Sequence, residues 1–275
     1  MNCWDVENWI DETELSGTDY FEYWNDLEKE KEKEWYVLND DFAKVEEYLD
    51  KIGLPNDLKK CVEILKTDYA KTIEGTGIDL AAGTLWAAPH IFNLGKIDKL
   101  YCLEFSRHRL LFIGTKMLNH YSIPKNKVTL VYGSFYKLQL DNDSIDFVIL
   151  SAAFHHAERP HDLLSEVYRV LRTGGICIII GEHPAYYYKA LVKNYIKMIL
   201  MIVLPRIYRN NFFKDRTYIK ALIPSKSELF PTDPIAGDHY YTLREYRSMF
   251  IENNFHYKKV CGHKSNQQSF ILIKK

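Results

Sequence analysis

The chain has 275 residues, of which 47% are hydrophobic, so it can bury one substantial core or one core with a small cap. Its formal net charge of −1 at pH 7 argues against a protein that binds nucleic acid through bulk positive charge. The five cysteines are an odd number without a Cys-x-x-Cys pair, and Cys102 and Cys177 lie in apolar runs. We therefore expect reduced thiols and a cytoplasmic location.

Neither an export signal nor a membrane span is expected. The N-terminus is acidic and lacks the basic and apolar segments of a signal peptide. The longest apolar run, Met198–Pro205, falls far short of the ~20 residues that cross a bilayer. We expect neither a membrane nor a nucleic acid as a partner.

Residues 1–70 have helical patterning. An aromatic cluster at Asp19–Trp24 is followed by a charge run at Glu28–Glu34, whose alternating signs are typical of a solvated helix face. Apolar residues spaced for one face predict further helices at Asp41–Ile52 and Leu58–Tyr69. These residues are interpreted as an N-terminal helical segment.

Strand-like and helical segments alternate from Gly77 onwards. The predicted order is strand Ile78–Leu80, helix Trp86–Leu94, strand Lys99–Leu103, helix Arg107–Tyr121, strand Val128–Tyr132, strand Ser144–Ala153, helix Arg159–Leu171 closed by Gly174-Gly175, and strand Ile176–Ile180. Such alternation implies right-handed crossovers and a parallel sheet. We predict an α/β fold with a doubly wound sheet, whose core occupies residues 71–183.

The alternation breaks over residues 184–240, which are predicted to form a helical cap with a long helix at Tyr186–Ile207. Residues 241–275 return to the core. Thr242 and Glu245 have the spacing of a capping box at the start of a helix that ends at Asn253. A closing β-hairpin is predicted at Phe255–Val260 and Ser269–Ile273.

The segment Gly77–Glu104 has the organisation of a nucleotide pocket. A short apolar strand ends in Asp79, a small-residue turn runs through Ala81 and Gly83, and a helix leads to a second strand that ends in Glu104. The turn allows the backbone to approach a ligand, the helix N-terminus offers free N–H groups, and the second acid can bind ribose hydroxyls. This order predicts a site for an adenosine-containing cofactor.

Four pieces of the sequence carry a family resemblance, and in chain order they are IDLAAGT (Ile78–Thr84), YCLEFS (Tyr101–Ser106), GSFYKLQLDNDSIDFVILSAAFHH (Gly133–His156) and LLSEVYRVLRTGGICII (Leu163–Ile179). Together they resemble the class I S-adenosylmethionine-dependent methyltransferases, whose Rossmann-like sheet the chain is then expected to share. The resemblance covers Gly77–His183, with a weaker similarity at Thr242–Phe255. The implied cofactor is S-adenosyl-L-methionine.

The resemblance implies a role for each cofactor residue. Asp79 would accept hydrogen bonds from the loop amides or the methionine ammonium, Glu104 would bind the ribose, and the neighbourhood of Ser151 would face the methionine end. The implied set is Asp79, Ala81, Gly83, Glu104, Phe105, Ser134, Phe135 and Ser151. The chain departs from the family at Ala81 and Leu85, which replace glycines, and at Ser134, which replaces the acid that contacts adenine.

A nicotinamide oxidoreductase is the rival use of this fold. Its fingerprint places G-x-G-x-x-G after the first strand. The one G-x-G of this chain, Gly75–Gly77, precedes that strand, so the sequence disfavours this reading.

Histidines are the candidates on the acceptor side. Methyl transfer needs proximity and alignment, with a general base when the acceptor is a hydroxyl. The candidate catalytic residues follow strands or precede the last helix, and they are His156, His155, His183 and His239. Convergence of Glu182, His183, Asp238 and His239 would allow a metal, but no metal is expected. Tyr20 and Tyr23 are candidates to cover the methionine end.

The expected reaction is methyl transfer to an oxygen or nitrogen of a small molecule. A sugar or phosphorylated metabolite is favoured by the basic side chains of the cap, Arg206, Arg209, Lys214, Arg216 and Lys220. The alternative is a catalytically inactive, cofactor-binding partner subunit, which the altered glycine loop favours. The apolar Met198–Leu204 stretch suggests a homodimer.

Overall fold

The computed structural model describes residues 4–10, 19–26, 40–203, 224–232, 237–264 and 266–275. Over these ranges the strands form one eight-stranded sheet in the order β1-β4-β3-β2-β5-β6-β8-β7. The strands are β1 (Asp5–Asn8), β2 (Glu74–Leu80), β3 (Lys96–Glu104), β4 (Val128–Tyr132), β5 (Ile145–Ser151), β6 (Leu171–Glu182), β7 (Phe255–Cys261) and β8 (Gln268–Lys274). β8 runs antiparallel to both of its neighbours, and the other paired strands are parallel.

Helices cover both faces of the sheet, which explains why its central strands are apolar at successive positions. Phe147 and Ile149 of β5 belong to one buried cluster, and Val148 and Leu150 to the other. The helices are α1 (Asp19–Asn25), α2 (Phe42–Ile52), α3 (Leu54–Tyr69), α4 (Ala87–Leu94), α5 (Thr115–His120), α6 (Pro160–Val170), α7 (Tyr187–Val203), α8 (Lys226–Leu229) and α9 (Leu243–Glu252). α3 and α4 pack on the first face, and α6 and α9 on the second. The predicted doubly wound α/β fold is confirmed.

The strand order reverses at β2, which lies between β3 and β5. Its last residue, Leu80, pairs with Leu103 of β3 and Leu150 of β5. In open α/β sheets, ligands bind outside the carboxyl ends of the strands at such a reversal. The topology therefore places the segments after β2, β3 and β5 at one edge.

Several predicted elements are confirmed in detail. At the start of α9, Thr242 Oγ1 accepts from the Glu245 amide (3.2 Å), and the Glu245 carboxylate accepts from the Thr242 amide (2.6 Å), as a capping box requires. β7 and β8 form the predicted hairpin. Cys102 and Cys177 are free, buried thiols.

The first 70 residues contain a strand that the helical prediction missed. β1 adds to the sheet edge parallel to β4. It is anchored by a hydrogen bond from Thr129 Oγ1 to Asp5 Oδ2 (3.0 Å) and by the Trp9 amide, which donates to the Tyr132 carbonyl (2.8 Å). β1 has four residues and is mostly exposed, so it carries too little apolar alternation to be recognised.

Three element boundaries also differ from prediction. α3 begins at Leu54, because Gly53 ends α2 in a left-handed conformation and Pro55 fits the first turn. A π-helical segment, Arg109–Gly114, precedes α5 where one α-helix was predicted. β6 begins at Leu171, so Gly174-Gly175 lies within the strand, and the register shift beside it leaves residues 172–175 out of the pairing.

The long helix predicted after β6 is present as α7. The described helices include none that is long and apolar enough to cross a membrane. The five basic residues predicted to attract an anionic acceptor, positions 206–220, lie outside the described residues.

Candidate active site

The loop after β2 has three residues with left-handed backbone. Ala81, Gly83 and Leu85 have φ angles of 53°, 55° and 61°. Glycine adopts this region most readily, because other residues meet steric resistance there. Ala81 and Leu85, which replace glycines of the family pattern, therefore retain a backbone suited to glycine.

Leu85 has acquired a packing role in the same loop. Its side chain is fully buried, and its Cδ1 lies 2.5 Å from the place where a Cβ on Gly114 would stand. Such a distance is too short for two carbon atoms. The absence of a side chain at Gly114 therefore makes room for the leucine that replaces a loop glycine.

Glu104 holds the loop in position. Its Oε2 accepts from the Gly83 amide (2.8 Å), and its Oε1 accepts from the amides of Phe105 (2.9 Å) and Ser106 (2.8 Å). A carboxylate offers about four lone-pair directions. Three are used by the backbone, so one acceptor position on Oε2 is left for a ligand.

Asp79 has the opposite environment. Its side chain is 1% exposed, and neither carboxylate oxygen has a hydrogen-bond partner among the described residues. Burial, together with the negative charge of nearby Glu104, raises the pKa of Asp79 from 3.8 to about 8. A buried polar group without a partner is costly, and native structures rarely keep one without a functional reason.

The other predicted cofactor residues lie around the same edge. The Phe105 amide is bound to the preceding carboxylate, and Ser134 Oγ accepts from the Tyr136 amide (3.4 Å). Phe135 is 8% exposed and packs in the second core cluster. Ser151 Oγ is buried without a described partner.

A Cβ added at Gly83 meets no described protein atom closer than Arg109 Nη1, at 3.8 Å. Protein sterics therefore do not require glycine at this position. The left-handed φ does favour it.

A histidine turn follows β5. Residues Phe154–His156 form one 3-10 turn, and the His155 ring uses Nδ1 to face Glu182 at 3.2 Å and 3.3 Å from its two oxygens. Glu182 is fully buried at the end of β6. It also accepts from the hydroxyl of Tyr246 (2.7 Å) and from the Phe154 amide (3.2 Å). This carboxylate therefore has an imidazole, a hydroxyl and an amide around it.

A second carboxylate approaches the turn from the loop before α9. Asp238 Oδ1 lies 3.1 Å from His156 Nδ1 and 4.0 Å from His155 Nε2. The loop is fixed in place because the His239 amide donates to the His155 carbonyl (2.8 Å). The two histidine rings lie side by side, with centroids 4.3 Å apart.

The charges of this cluster support one another. Burial opposes charge on Glu182, but His155 and the Tyr246 hydroxyl outweigh it and lower the pKa of Glu182. Burial likewise disfavours a charged His155, yet Glu182 and Asp238 raise the pKa of His155 above 6.5. The His156 ring lowers the pKa of Asp238. Both carboxylates are therefore ionised at neutral pH.

The structure groups the candidate catalytic residues differently from the sequence. His155, His156 and Asp238 offer ligand atoms within 4.8 Å of one another, the one such group in the described part of the chain. His183 is exposed after β6, and the His239 ring stacks on Tyr241 with centroids 6.1 Å apart. Of the four residues whose convergence would allow a metal, Asp238 alone belongs to this group, and His155 and His156 join it there.

The family comparison supports the interpretation of this edge. The methyltransferase domain family matches residues 78–179, which run from β2 to β6 and include the loop, Glu104 and the histidine turn. This segment is therefore similar to the methyltransferase domain family. The relatives of that family that use S-adenosylmethionine share the fold of this chain.

Individual relatives of the chain are distant. The demethylmenaquinone methyltransferase of Oceanobacillus iheyensis is 26% identical over 166 residues, 56% of this chain and 65% of that relative's length. The YcgJ protein of Bacillus subtilis is 14% identical, with a TM-score of 0.50 over 74% of this chain and 92% of its own. A candidate S-adenosyl-L-methionine-dependent methyltransferase of Methanococcus maripaludis is also 14% identical, with a TM-score of 0.50 over 85% and 92%. The solved structures support the fold alone.

Helix α1 lies over the carboxyl edge of the sheet, and sequence reasoning singled out its Tyr20 and Tyr23 but not Asn25 and Trp24. Asn25 accepts from the Arg107 amide (3.1 Å) and donates to the Phe105 carbonyl (3.4 Å). The Trp24 ring lies 4.6 Å from the Arg109 guanidinium and 5.5 Å from the His156 ring. Tyr23 stacks edge-on against Trp24, whereas the side chain of Tyr20 lies outside the described residues.

The glycines of the rival oxidoreductase reading lie inside β2, away from its carboxyl end. A Cβ at Gly75 would meet Asp146, and one at Gly77 would meet the Phe147 ring, each at less than 2.5 Å. Both glycines therefore serve packing within the sheet.

Proposed function

We propose that this protein transfers a methyl group from S-adenosylmethionine to an oxygen or nitrogen atom of a small molecule. The observation that carries the proposal is Asp79, a buried carboxylate without a described partner beside the loop that follows β2. The cofactor, when bound, supplies an electrophilic methyl group on a sulfonium and a cationic ammonium group. A positive group near Asp79 would supply the missing interaction.

The cofactor side assigns distinct tasks to two acids. Asp79 would accept hydrogen bonds from the methionine ammonium, directly or through water, and would be ionised in that complex. Glu104 already anchors the loop and keeps one acceptor position for a ribose hydroxyl. Ser134 and Phe135 would flank the adenine. Ser151, whose hydroxyl has no described partner, would lie toward the methionine end.

The acceptor side is formed by the histidine turn. His155 and His156 follow β5, the strand adjacent to β2, so an acceptor bound against them lies at the same sheet edge as the cofactor. Trp24 covers this side from α1. The main task of these groups is to hold the acceptor atom in line with the methyl group.

Two acceptor classes follow from different observations. The basic stretch at positions 206–220 favours a sugar or a phosphorylated metabolite. The Oceanobacillus relative is named for demethylmenaquinone, which adds a quinol-type acceptor to the panel. Sugar hydroxyls and quinol hydroxyls are both nucleophilic oxygens, and the mass of the methylated product identifies which acceptor has reacted.

Calorimetry with S-adenosylmethionine, S-adenosylhomocysteine and NAD tests the cofactor assignment. We expect both sulfur nucleosides to bind and NAD not to bind. Asp79→Asn is expected to weaken S-adenosylmethionine binding, whereas Asp98→Asn, a matched change at an exposed aspartate of β3, leaves it unchanged. Absence of binding by both sulfur nucleosides would overturn the proposal.

Turnover is then measured by mass spectrometry over a panel of sugars, phosphorylated metabolites and quinols. A methylated product that the parent protein forms and the His156→Ala variant does not would support the proposed methyltransferase activity. Tight cofactor binding without turnover on any member favours the alternative, an inactive partner subunit.

A further inference from the structure

The cluster on the histidine turn has the composition of a metal site. It contains two imidazoles and one carboxylate, and the ligand atoms of His155, His156 and Asp238 lie within 4.8 Å of one another. Two nitrogen or oxygen ligands on one tetrahedral zinc ion lie roughly 3.3 Å apart. The separations of Asp238 Oδ1 from His156 Nδ1 (3.1 Å) and from His155 Nε2 (4.0 Å) bracket that value.

Glu182 gives His155 the support that metal-binding histidines usually have. Such histidines donate the N–H of their other ring nitrogen to a carboxylate or carbonyl, which fixes the tautomer and the ring orientation. His155 Nδ1 faces both oxygens of Glu182, so Nε2 is the nitrogen directed toward Asp238. Glu182 is itself held by Tyr246 and by the Phe154 amide, so this support is rigid.

The backbone holds the remaining two ligands in place without requiring an ion. The His239 amide, next to Asp238, donates to the carbonyl of His155. His156 directly follows His155 in the 3-10 turn, and the Trp24 ring packs edge-on against its ring. Three ligands are thus preorganised on two segments that the fold ties together, which lowers the entropic cost of binding an ion.

The chemistry of the ligand set favours a particular class of ion. The three ligand residues are half-buried, so an ion can reach them from solvent. Imidazole and carboxylate together suit zinc and the neighbouring first-row transition metals rather than calcium or magnesium.

We propose that His155, His156 and Asp238 bind one divalent transition-metal ion, with Zn²⁺ as the probe, and leave a coordination position open for an oxygen atom of the acceptor. Three protein ligands with an open position is the arrangement found in catalytic zinc sites. The part played by the acceptor oxygen rests on the proposed function. The binding of the ion does not, since the three ligands are all provided by this chain.

The test measures metal content and not activity. The chain, produced without a polyhistidine tag and stripped with a chelator, is dialysed against Zn²⁺ and analysed by elemental mass spectrometry. We expect one zinc per chain, and Co²⁺ in its place should give the visible absorption of a nitrogen- and oxygen-ligated ion. Asp238→Asn and His156→Ala should weaken zinc binding by about tenfold or more.

His161→Ala is the matched control, since His161 is an exposed histidine of α6 that lies outside the cluster. It should keep one zinc per chain. Thermal unfolding of each metal-free variant verifies that it is folded, and Asp238→Asn serves if His156→Ala does not fold. Zinc content well below one per chain, or equal zinc content in Asp238→Asn and His161→Ala, overturns the proposal.

These readouts are independent of the cofactor experiments. Zinc binding without S-adenosylmethionine binding would contradict the proposed function but support the metal site. Cofactor binding and turnover by a chain that takes up no zinc would support the proposed function and contradict the metal site.

Discussion

Two buried carboxylates at the carboxyl edge of the sheet differ in one respect. Asp79 of β2 is 1% exposed and Glu182 of β6 is 0% exposed, yet Glu182 has an imidazole, a hydroxyl and an amide around it, and Asp79 has no described hydrogen-bond partner. The pKa of Asp79 rises to about 8, whereas that of Glu182 is lowered. The Glu182 side is thus completed by the protein itself, whereas under the proposed function the Asp79 side is completed by a ligand.

The largest expected effect is the loss of stability when Glu182, on the completed side, is replaced. Glu182→Ala removes a buried acceptor and leaves the Tyr246 hydroxyl and the His155 ring without it, so the free energy of unfolding should fall by about 3–5 kcal/mol. Urea unfolding at neutral pH measures this. Glu63→Ala, at an exposed glutamate of α3, is the control and should change stability little. A similar small loss in both variants would mean that Glu182 is not part of a supporting network.

The next effect tests whether the loop on the cofactor side is held rigidly. Leu85→Ala should cost about 2–5 kcal/mol, because it opens a cavity at a fully buried position. Gly114→Ala should cost about 1–3 kcal/mol, since its Cβ would overlap the Leu85 side chain.

The double variant decides whether these two residues act as a pair. Leu85→Ala with Gly114→Ala should be clearly more stable than the sum of the single losses predicts, because the new methyl group enters the vacated space. Additive losses in urea unfolding would show that Leu85 and Gly114 do not compensate each other.

Replacing Asp79 should lower the affinity for the cofactor without lowering the stability of the ligand-free protein. Asp79→Asn removes a charge-assisted interaction with the ammonium group, worth about 1.5–3 kcal/mol, so S-adenosylmethionine should bind roughly 10- to 150-fold more weakly. The ligand-free variant should be at least as stable as the parent at pH 8. Unchanged affinity, measured by calorimetry, would remove Asp79 from the cofactor site.

The smallest effect is a dependence of stability on pH. In the folded protein without ligand the pKa of Asp79 is about 8, against 3.8 as its ordinary value. Between these values the folded state binds more protons than the unfolded state, so this residue makes stability fall as pH rises. Among the described residues, two titratable groups interact with Asp79, namely Glu104 and the Cys102 thiol. Burial raises the pKa of that thiol as well.

Thermal unfolding from pH 5 to pH 8 separates this contribution by comparing the parent with Asp79→Asn. The difference in stability between the two should move in favour of the variant as pH rises. A pH-independent difference would contradict a raised pKa.

Sequence patterns predicted much of this molecule because the relevant signals are local. The alternation of apolar segments predicted the strands from β2 to β6, and the Thr242–Glu245 spacing predicted the cap of α9. The small residues after Asp79 predicted the turn that the structure has between β2 and α4. Each of these signals lies within a window of a few residues.

The missing parts depend on contacts between distant positions. Glu182 receives its hydroxyl donor from Tyr246, 64 residues further along the chain, and no local pattern marks that pair. The match between Leu85 and Gly114 likewise exists only in the folded molecule. The isolation of Asp79 was unpredictable for the same reason, since a missing partner is a property of every neighbouring element.

The most direct test of the central claim counts the protons released when the cofactor product binds. Titration of the protein with S-adenosylhomocysteine at pH 7, in two buffers of different ionisation enthalpy, gives that number. If Asp79 is protonated in the free protein and ionised against the ligand ammonium, close to one proton should be released by the parent and none by Asp79→Asn. Binding by the parent without proton release would contradict the account of Asp79.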